Sequence, residues 1–380
     1  MNEWKTVRLG DVCEIARGGS PRPINEYITT DENGINWIKI GDTSSDSKYI
    51  ERTEQKIKPE GMKKSRYVHS GDFILSNSMS FGRPYILKID GCIHDGWLVL
   101  QNIQNDIDKD YLYFVLSSPS AYHQFERMAV GGVVNNLNSD KVKELIFPLP
   151  PLEKQKQIAK ILDKCNILII KHKQMVEKYD ALIKSRFIEM FGDPVKNTKG
   201  WKTESLQQVA PAKPAKNNLN DKVWLLNLDM VESQTGKVID YLYVNISDTG
   251  NSTYQFDEGN VLYSKLRPYL NKVVIPEQSG ICTSELVPLR PTEKLNRYFL
   301  ANLLRTDFFV NFINEKVAGA KMPRVLMDTF RAFDCILPPI ELQNDFAAFV
   351  QQIGKSKFAV QKSLEKAETL YKSLMQEYFG

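Results

Sequence analysis

A seven-residue motif returns 188 residues after its first appearance. Leu149-Pro150-Pro151-Leu152-Glu153-Lys154-Gln155 recurs as Leu337-Pro338-Pro339-Ile340-Glu341-Leu342-Gln343. The same offset carries Lys184-Ser185 to Lys372-Ser373, Phe191-Gly192 to Phe379-Gly380, Gly71 to Gly259, Ser76 to Ser264 and Gly131 to Gly319. With small shifts, Arg83-Pro84-Tyr85 is matched to Arg267-Pro268-Tyr269, and Trp4-Lys5-Thr6 to Trp201-Lys202-Thr203. An ordered series of this kind marks a duplicated unit, and repeats decide architecture before any single motif does.

Each unit ends in a long helical pattern. The paired prolines close the preceding strand, because proline has no donor for a ladder. Behind them, steps of four and three connect Ile158, Leu162, Cys165, Ile169, His172, Val176, Tyr179, Ile183, Arg186 and Met190. The matching set is Phe346, Val350, Ile353, Lys357, Val360, Leu364, Ala367, Tyr371, Leu374 and Tyr378. This is a heptad seam with polar breaks at His172, Arg186 and Lys357, and it predicts two helices that pack on each other. A seam of this length spans about 50 Å at ~1.5 Å per residue. The first helix leaves the first head and the second leaves the second, so the pair is expected to run antiparallel. The expected fold is α+β: heads at 1–150 and 193–340, spacer helices at 151–192 and 341–380, and pseudo-twofold symmetry.

The heads mix short strands and helices. Asn36 to Ile40 and Val223 to Leu228 alternate as half-buried strands. Gly71 to Ser76 and Gly259 to Ser264 are turn-then-strand pieces, and Tyr111 to Leu116 and Tyr298 to Leu304 begin helices. Between these framework pieces the heads diverge. Ser76-Asn77-Ser78 up to Arg83 and Tyr85 faces Lys265, Arg267 and Tyr269. Gly131-Gly132 with Asn135, Asn136 and Asn138 faces Lys321 and Arg324. These side-chain types contact phosphates and base edges, and forked Arg or amide Asn can read guanine or adenine. Each residue alone reads equally well as a solvated turn; the paired placement in both heads favours DNA binding. The basic run Lys56, Lys58, Lys63, Lys64 and Arg66 suits phosphate contact but reads more often as a solvated face.

Composition excludes more than it selects. Hydrophobic residues make up 42% and charged residues 25%, typical of globular protein. No run approaches the ~20 apolar residues of a membrane helix, and the start lacks a basic-then-apolar signal, so a cytoplasmic protein is expected. Five scattered cysteines and four scattered histidines give no disulfide framework or zinc pattern. A net charge of +4 permits nucleic-acid binding without requiring it. Phosphate-binding glycine loops and HExxH are absent, as is an Asn/Asp-Pro-Pro-aromatic methylase motif, so a recognition protein without cofactor or metal is expected.

The duplicated architecture, with Leu149 to Leu162, Arg186 to Pro194 and Gly259 to Lys272, resembles the specificity subunits of Type I restriction-modification systems along essentially the whole chain. The resemblance implies that each head is a target recognition domain for one half of a split DNA site. It implies helices that act as a ruler and dock two methyltransferase subunits, with restriction subunits joining the larger complex. The second proline segment departs from the pattern in being less lysine-rich. The rival readings are a two-headed coiled-coil protein adaptor that binds no DNA, and an enzyme with an unrecognised site.

Overall fold

The computed structural model describes residues 4–44, 47–77, 82–129, 137–216, 219, 221–250, 252–319 and 321–380. Two compact units emerge. One comprises Met1–Lys173 with Lys362–Gly380, and the other Gln174–Gln361. Each therefore holds one head, the start of the helix that leaves that head, and the end of the other helix.

The two long helices run Leu152–Phe191 and Ile340–Phe379. Each starts directly behind its proline pair, as the missing donors require. The first ends at Gly192, whose φ of +77° suits glycine and whose N–H closes on the Ile188 carbonyl at 2.8 Å. The seam is buried or half-buried at every expected position except one. Arg186 is exposed, and its neighbour Phe187 is buried instead. A straight helix has 3.6 residues per turn, so a strict 3.5 repeat drifts around the surface until the next residue faces inward. Met375, 188 residues on, is buried in the same way.

Within each unit the helix segments are antiparallel. In the first, Lys173 pairs with Glu368 at 3.3 Å, and the start of one helix (Ile158, Leu162) shares a core with the end of the other (Met375, Phe379). In the second, Lys357 pairs with Asp180 at 2.7 Å, and Phe187 meets Phe346 edge-on at 5.5 Å. The polar break at Lys357 is thus filled by an ion pair.

Both heads are anchored to their helices by the same device. The side chain of Gln155 is buried; its amide donates to the carbonyls of Asp106 and Pro150, both at 2.9 Å, while its oxygen accepts the Asp108 N–H at 2.9 Å. Gln343 repeats this with Lys294 (3.1 Å), Pro338 (2.8 Å) and the Asn296 N–H (2.9 Å). Asp108 and Asn296 cap the helices Lys109–Leu116 and Arg297–Arg305. Those helices then carry Tyr111 against Phe379 (5.5 Å) and Phe299 against Phe191 (4.8 Å). A two-stranded sheet closes each base: Lys5–Arg8 with Ile146–Leu149, and Lys202–Ser205 with Asp334–Leu337.

The sheets repeat as well. In head one, one sheet orders its strands as Ile28–Thr29, Gln55–Ile57, Ile35–Ile38, Gly91–Ile93, Arg66–Val68. Head two has Leu242–Asn245, Lys222–Leu226, Gly280–Thr283, Thr253–Phe256, with the same parallel pair at its centre. A second sheet in each head contains the hairpin that begins at Phe73–Ser76 or Val261–Ser264.

Removing Gln155 or Gln343 leaves a buried N–H and two carbonyls without partners, and each such group costs roughly 1–3 kcal/mol. Gln155→Ala and Gln343→Ala should each destabilise the unit that holds the side chain by about 2–4 kcal/mol. Denaturant unfolding checks this, and a loss below half a kcal/mol for either variant contradicts the clamp.

Candidate nucleic-acid interface

The hairpin register corrects one sequence match. The Ser76 N–H bonds the Arg83 carbonyl, and Leu75 and Ile74 pair with Pro84 and Tyr85. In head two, Ser264 N–H bonds the Lys272 carbonyl, and Tyr263 and Leu262 pair with Val273 and Val274. Arg83-Pro84-Tyr85 therefore corresponds to Lys272-Val273-Val274. Arg267-Pro268-Tyr269 lies inside the hairpin loop, where Pro268–Leu270 form a short 3-10 turn. The head-two loop is only one residue longer, yet its copy of the tripeptide sits five residues ahead of the structurally equivalent position.

Around this loop the same three connections meet in both heads. The Leu137 N–H bonds the Asn77 carbonyl (3.1 Å), and the Asn77 N–H bonds Gly96 (3.0 Å). At the equivalent places Val325 N–H bonds Lys265 (2.9 Å), and Lys265 N–H bonds Glu285 (3.0 Å). The hairpin loop, the segment before the short helix, and the turn at 94–96 or 284–285 thus emerge side by side.

In head two this gathers the expected residues. Arg267 N–H bonds the Pro323 carbonyl at 2.8 Å, and Leu266 bridges to Arg324. Arg324 and Lys321 are exposed, Arg324 pairs with Glu285 at 3.2 Å, and Tyr269 stands exposed on the turn. Lys265 and Arg267 are half-buried. Arg267 and Asn271 bracket the turn with φ of +49° each, a conformation uncommon outside glycine that the surrounding structure must hold in place. The Arg267 Nε is buried without a hydrogen-bond partner.

Head one distributes its candidates differently. Ser76 and Asn77 are buried: the Ser76 hydroxyl oxygen accepts the Arg83 N–H at 3.1 Å, and the Asn77 amide donates to the Asp95 carbonyl at 2.9 Å. Both side chains are thus engaged within the buried loop stem. Tyr85 is buried against Trp97, and Asn138 is exposed while its side chain caps the helix Ser139–Lys143. The Arg83 guanidinium lies 5.3 Å over the Tyr85 ring, on the wall of a cleft of about 560 Å³ that also includes Lys48, Tyr113, Lys173 and Tyr371. It therefore faces the helices. In this cleft burial opposes the Lys48 charge, but hydrogen bonds to Asp110 and Asp163 prevail and hold its ammonium above the ordinary value. Ser78, Asn135 and Asn136 lie outside the described residues.

Two arginines, Arg17 and Arg22, escaped the sequence reading, and a third, Arg66, entered it only as part of the basic run. Arg17 donates to the Asp95 carbonyl (3.0 Å), Arg66 donates to the Arg17 carbonyl (2.7 Å), and Arg22 reaches the Asp95 carboxylate (3.3 Å). All three are exposed at the turn that supports Asn77. Arg66 belongs to the basic run read as a solvated face, and only pairing of its strand with Gly91–Ile93 brings it to this turn.

A family model for the Type I restriction modification DNA specificity domain matches residues 1–178 and again 198–368. A putative Type I restriction enzyme specificity subunit, MjaX, of Methanocaldococcus jannaschii is 24% identical over 98% of this chain and 92% of that protein. The EcoDI specificity subunit of Escherichia coli is 25% identical over 38% of this chain, a match that spans 32% of that protein. Among solved structures, the S subunit of a Type I restriction-modification system from M. genitalium superposes with a TM-score of 0.63 at 14% identity, covering 100% of this chain and 97% of that one. A chain from a study of complex assembly in the Type I system gives 0.56 at 15% identity, covering 100% and 98%.

The supporting turn of head one carries a titration. His94 accepts the Gly96 N–H at 2.6 Å through Nδ1, which requires that nitrogen unprotonated. Burial lowers its pKa from the ordinary value near 6.5, while Asp95 and Asp42 oppose the shift. The folded state then binds fewer protons than the unfolded state, so stability is complete above about pH 6.5 and falls as pH drops through the lowered value. Thermal melts between pH 7.5 and 5 should show this loss, and His94→Gln should flatten it. Asp95, itself lowered mainly by its Ser20 hydrogen bond, titrates below that window.

Proposed function

Because the chain belongs to the Type I restriction modification DNA specificity family, we propose that it reads a bipartite, asymmetric DNA site, one half-site with each head. The observation that carries this reading is the repeated stem. Equivalent backbone bonds at Asn77/Leu137 and Lys265/Val325 join the loop stems in the same way in both heads. The side chains on those loops differ, so one geometry would be aimed at two base sequences. In head two the reading surface is Lys265, Arg267, Tyr269, Lys321 and Arg324. In head one it is the Arg17, Arg22 and Arg66 group beside the loop stem, with Asn138 and the loop residues Ser78, Asn135 and Asn136.

The segments 1–150 and 193–340 would act as target recognition domains, with 151–192 and 341–380 as spacer helices that set the gap between half-sites. Helices of 40 residues each extend about 60 Å at ~1.5 Å per residue. That suits half-sites a turn or more apart, at ~34–36 Å per turn. The two glutamine-clamped junctions at Pro150 and Pro338 are alike, which supports one methyltransferase subunit docked at each. Restriction subunits would join that assembly. The chain itself would catalyse nothing and work in the cytoplasm; no helix among the described residues is long and apolar enough to cross a membrane.

The decisive experiment is to express the chain with its methyltransferase subunit and map methylated adenines across a genome. A gapped, two-part asymmetric motif is expected, and a contiguous motif or none refutes the reading. Arg267→Ala with Arg324→Ala should weaken DNA binding at least tenfold and relax only one half of the motif, since a bidentate base contact contributes ~1–3 kcal/mol of discrimination. Each lost phosphate contact should instead lower the salt dependence by about one unit of slope.

A further inference from the structure

The two heads build one sheet from matching strands in the same order, with a single difference. In head one the strand Gln55–Ile57 is covered on its outer side by Ile28–Thr29, paired antiparallel as Ile28↔Ile57 and Thr29↔Lys56. Its head-two counterpart, Leu242–Asn245, is paired only with Lys222–Leu226 among the described residues. The chain ahead of that sheet takes another route in head two. Lys213 N–H bonds the Pro288 carbonyl (2.9 Å) and Ala215 N–H bonds Gln255 (2.9 Å), so it runs along the opposite side.

Register shows which groups the open edge offers. Ile246 N–H bonds the Asp221 carbonyl at 2.9 Å. Antiparallel pairs alternate, so Val244 and Leu242 also point their backbone groups inward, at Val223 and Leu225. Tyr243 therefore points N–H and C=O outward and Asn245 its N–H, while the Asn245 carbonyl opens the short turn Ile246–Asp248. The flanking surface is apolar and solvent-exposed: Ile239 56%, Tyr241 55%, Tyr243 54% and Ile246 43%. Folded proteins usually cover, charge or interrupt such an edge.

We propose that the Leu242–Asn245 edge is a docking site for an extended segment of the methyltransferase subunit, which adds the strand that Ile28–Thr29 supplies within head one. The inference rests on the reading above, which gives this chain that partner. Charge favours protein over DNA: Asp221, Asp240 and Asp248 surround the strand against Lys222 and Lys237, and no Lys or Arg lies within residues 238–250. The matching segment would be apolar at its centre with basic flanks. Size selects a tethered partner over a second copy. A four-residue edge buries far less than the roughly 1,200–2,000 Å² of a stable free-standing interface, whereas a segment already held nearby binds at high effective concentration. Backbone bonds supply such recognition and alternate side chains give it selectivity.

Amide hydrogen exchange of the 241–246 segment tests the proposal in three samples: the chain alone, the chain with its methyltransferase subunit, and the chain with a DNA duplex. Exchange should slow at least tenfold with the methyltransferase and remain unchanged with DNA. Tyr243→Pro removes an outward donor at an edge where proline is tolerated, and Tyr243→Lys places a charge there. Both should stay folded by circular dichroism and weaken methyltransferase binding about tenfold. A complex that assembles and methylates while this segment exchanges as in the free chain overturns the inference and leaves the proposed function standing. If no complex forms, both fall. Protection by DNA alone, or protection that grows with the concentration of the chain alone, also overturns it.

Discussion

The contact between one buried glutamine and three backbone groups decides how each head meets its helix. A glutamine side chain offers both donors and an acceptor. Gln155 and Gln343 use them on the strand–proline junction behind and on the entry to a capped helix ahead. Every one of these groups is backbone, so the clamp is indifferent to the side chains around it. That explains how two heads with different loops keep one geometry at the base. The aromatic contacts Tyr111–Phe379 and Phe299–Phe191 depend on it in turn, because the capped helices carry Tyr111 and Phe299.

Most of the framework was legible because it is periodic or repeated. The heptad steps located both helices, and the prolines marked their starts within a residue or two. The error at Arg186 came from treating the period as 3.5 throughout, when the 3.6-residue turn of an α-helix moves the buried face on to Phe187. The clamping glutamines stood inside the strongest sequence match, but nothing local shows that Gln155 is buried while Gln157 is not.

The candidate surface was less legible, for reasons particular to its residues. Ser76 and Asn77 have the polar character of a binding loop, yet Asn77 spends its amide on Asp95 and Ser76 its hydroxyl oxygen on Arg83. Arg83 and Arg267 share a tripeptide but not a position, since one directly precedes the strand Pro84–Leu87 and the other precedes a 3-10 turn inside the hairpin loop. Arg17, Arg22 and Arg66 come together only through non-local pairing, beyond the reach of sequence spacing. In head two the basic residues named from the sequence sit close to one another, because their two loops are joined by backbone bonds.

The sequence repeat and the compact unit are different divisions of the same chain, and this orders the assembly of the fold in time. The unit built on the second head draws on one continuous stretch, Gln174–Gln361. The unit built on the first head needs Met375 and Phe379 in its core, more than two hundred residues beyond Tyr111 and Leu112. Closing so distant a contact carries a loop-entropy cost and slows formation. The head that is synthesised first is thus the last to have its core completed. Until the second helix arrives, the apolar surface around Tyr111 and Ile158 lies open to solvent and to whatever holds nascent chains in solution.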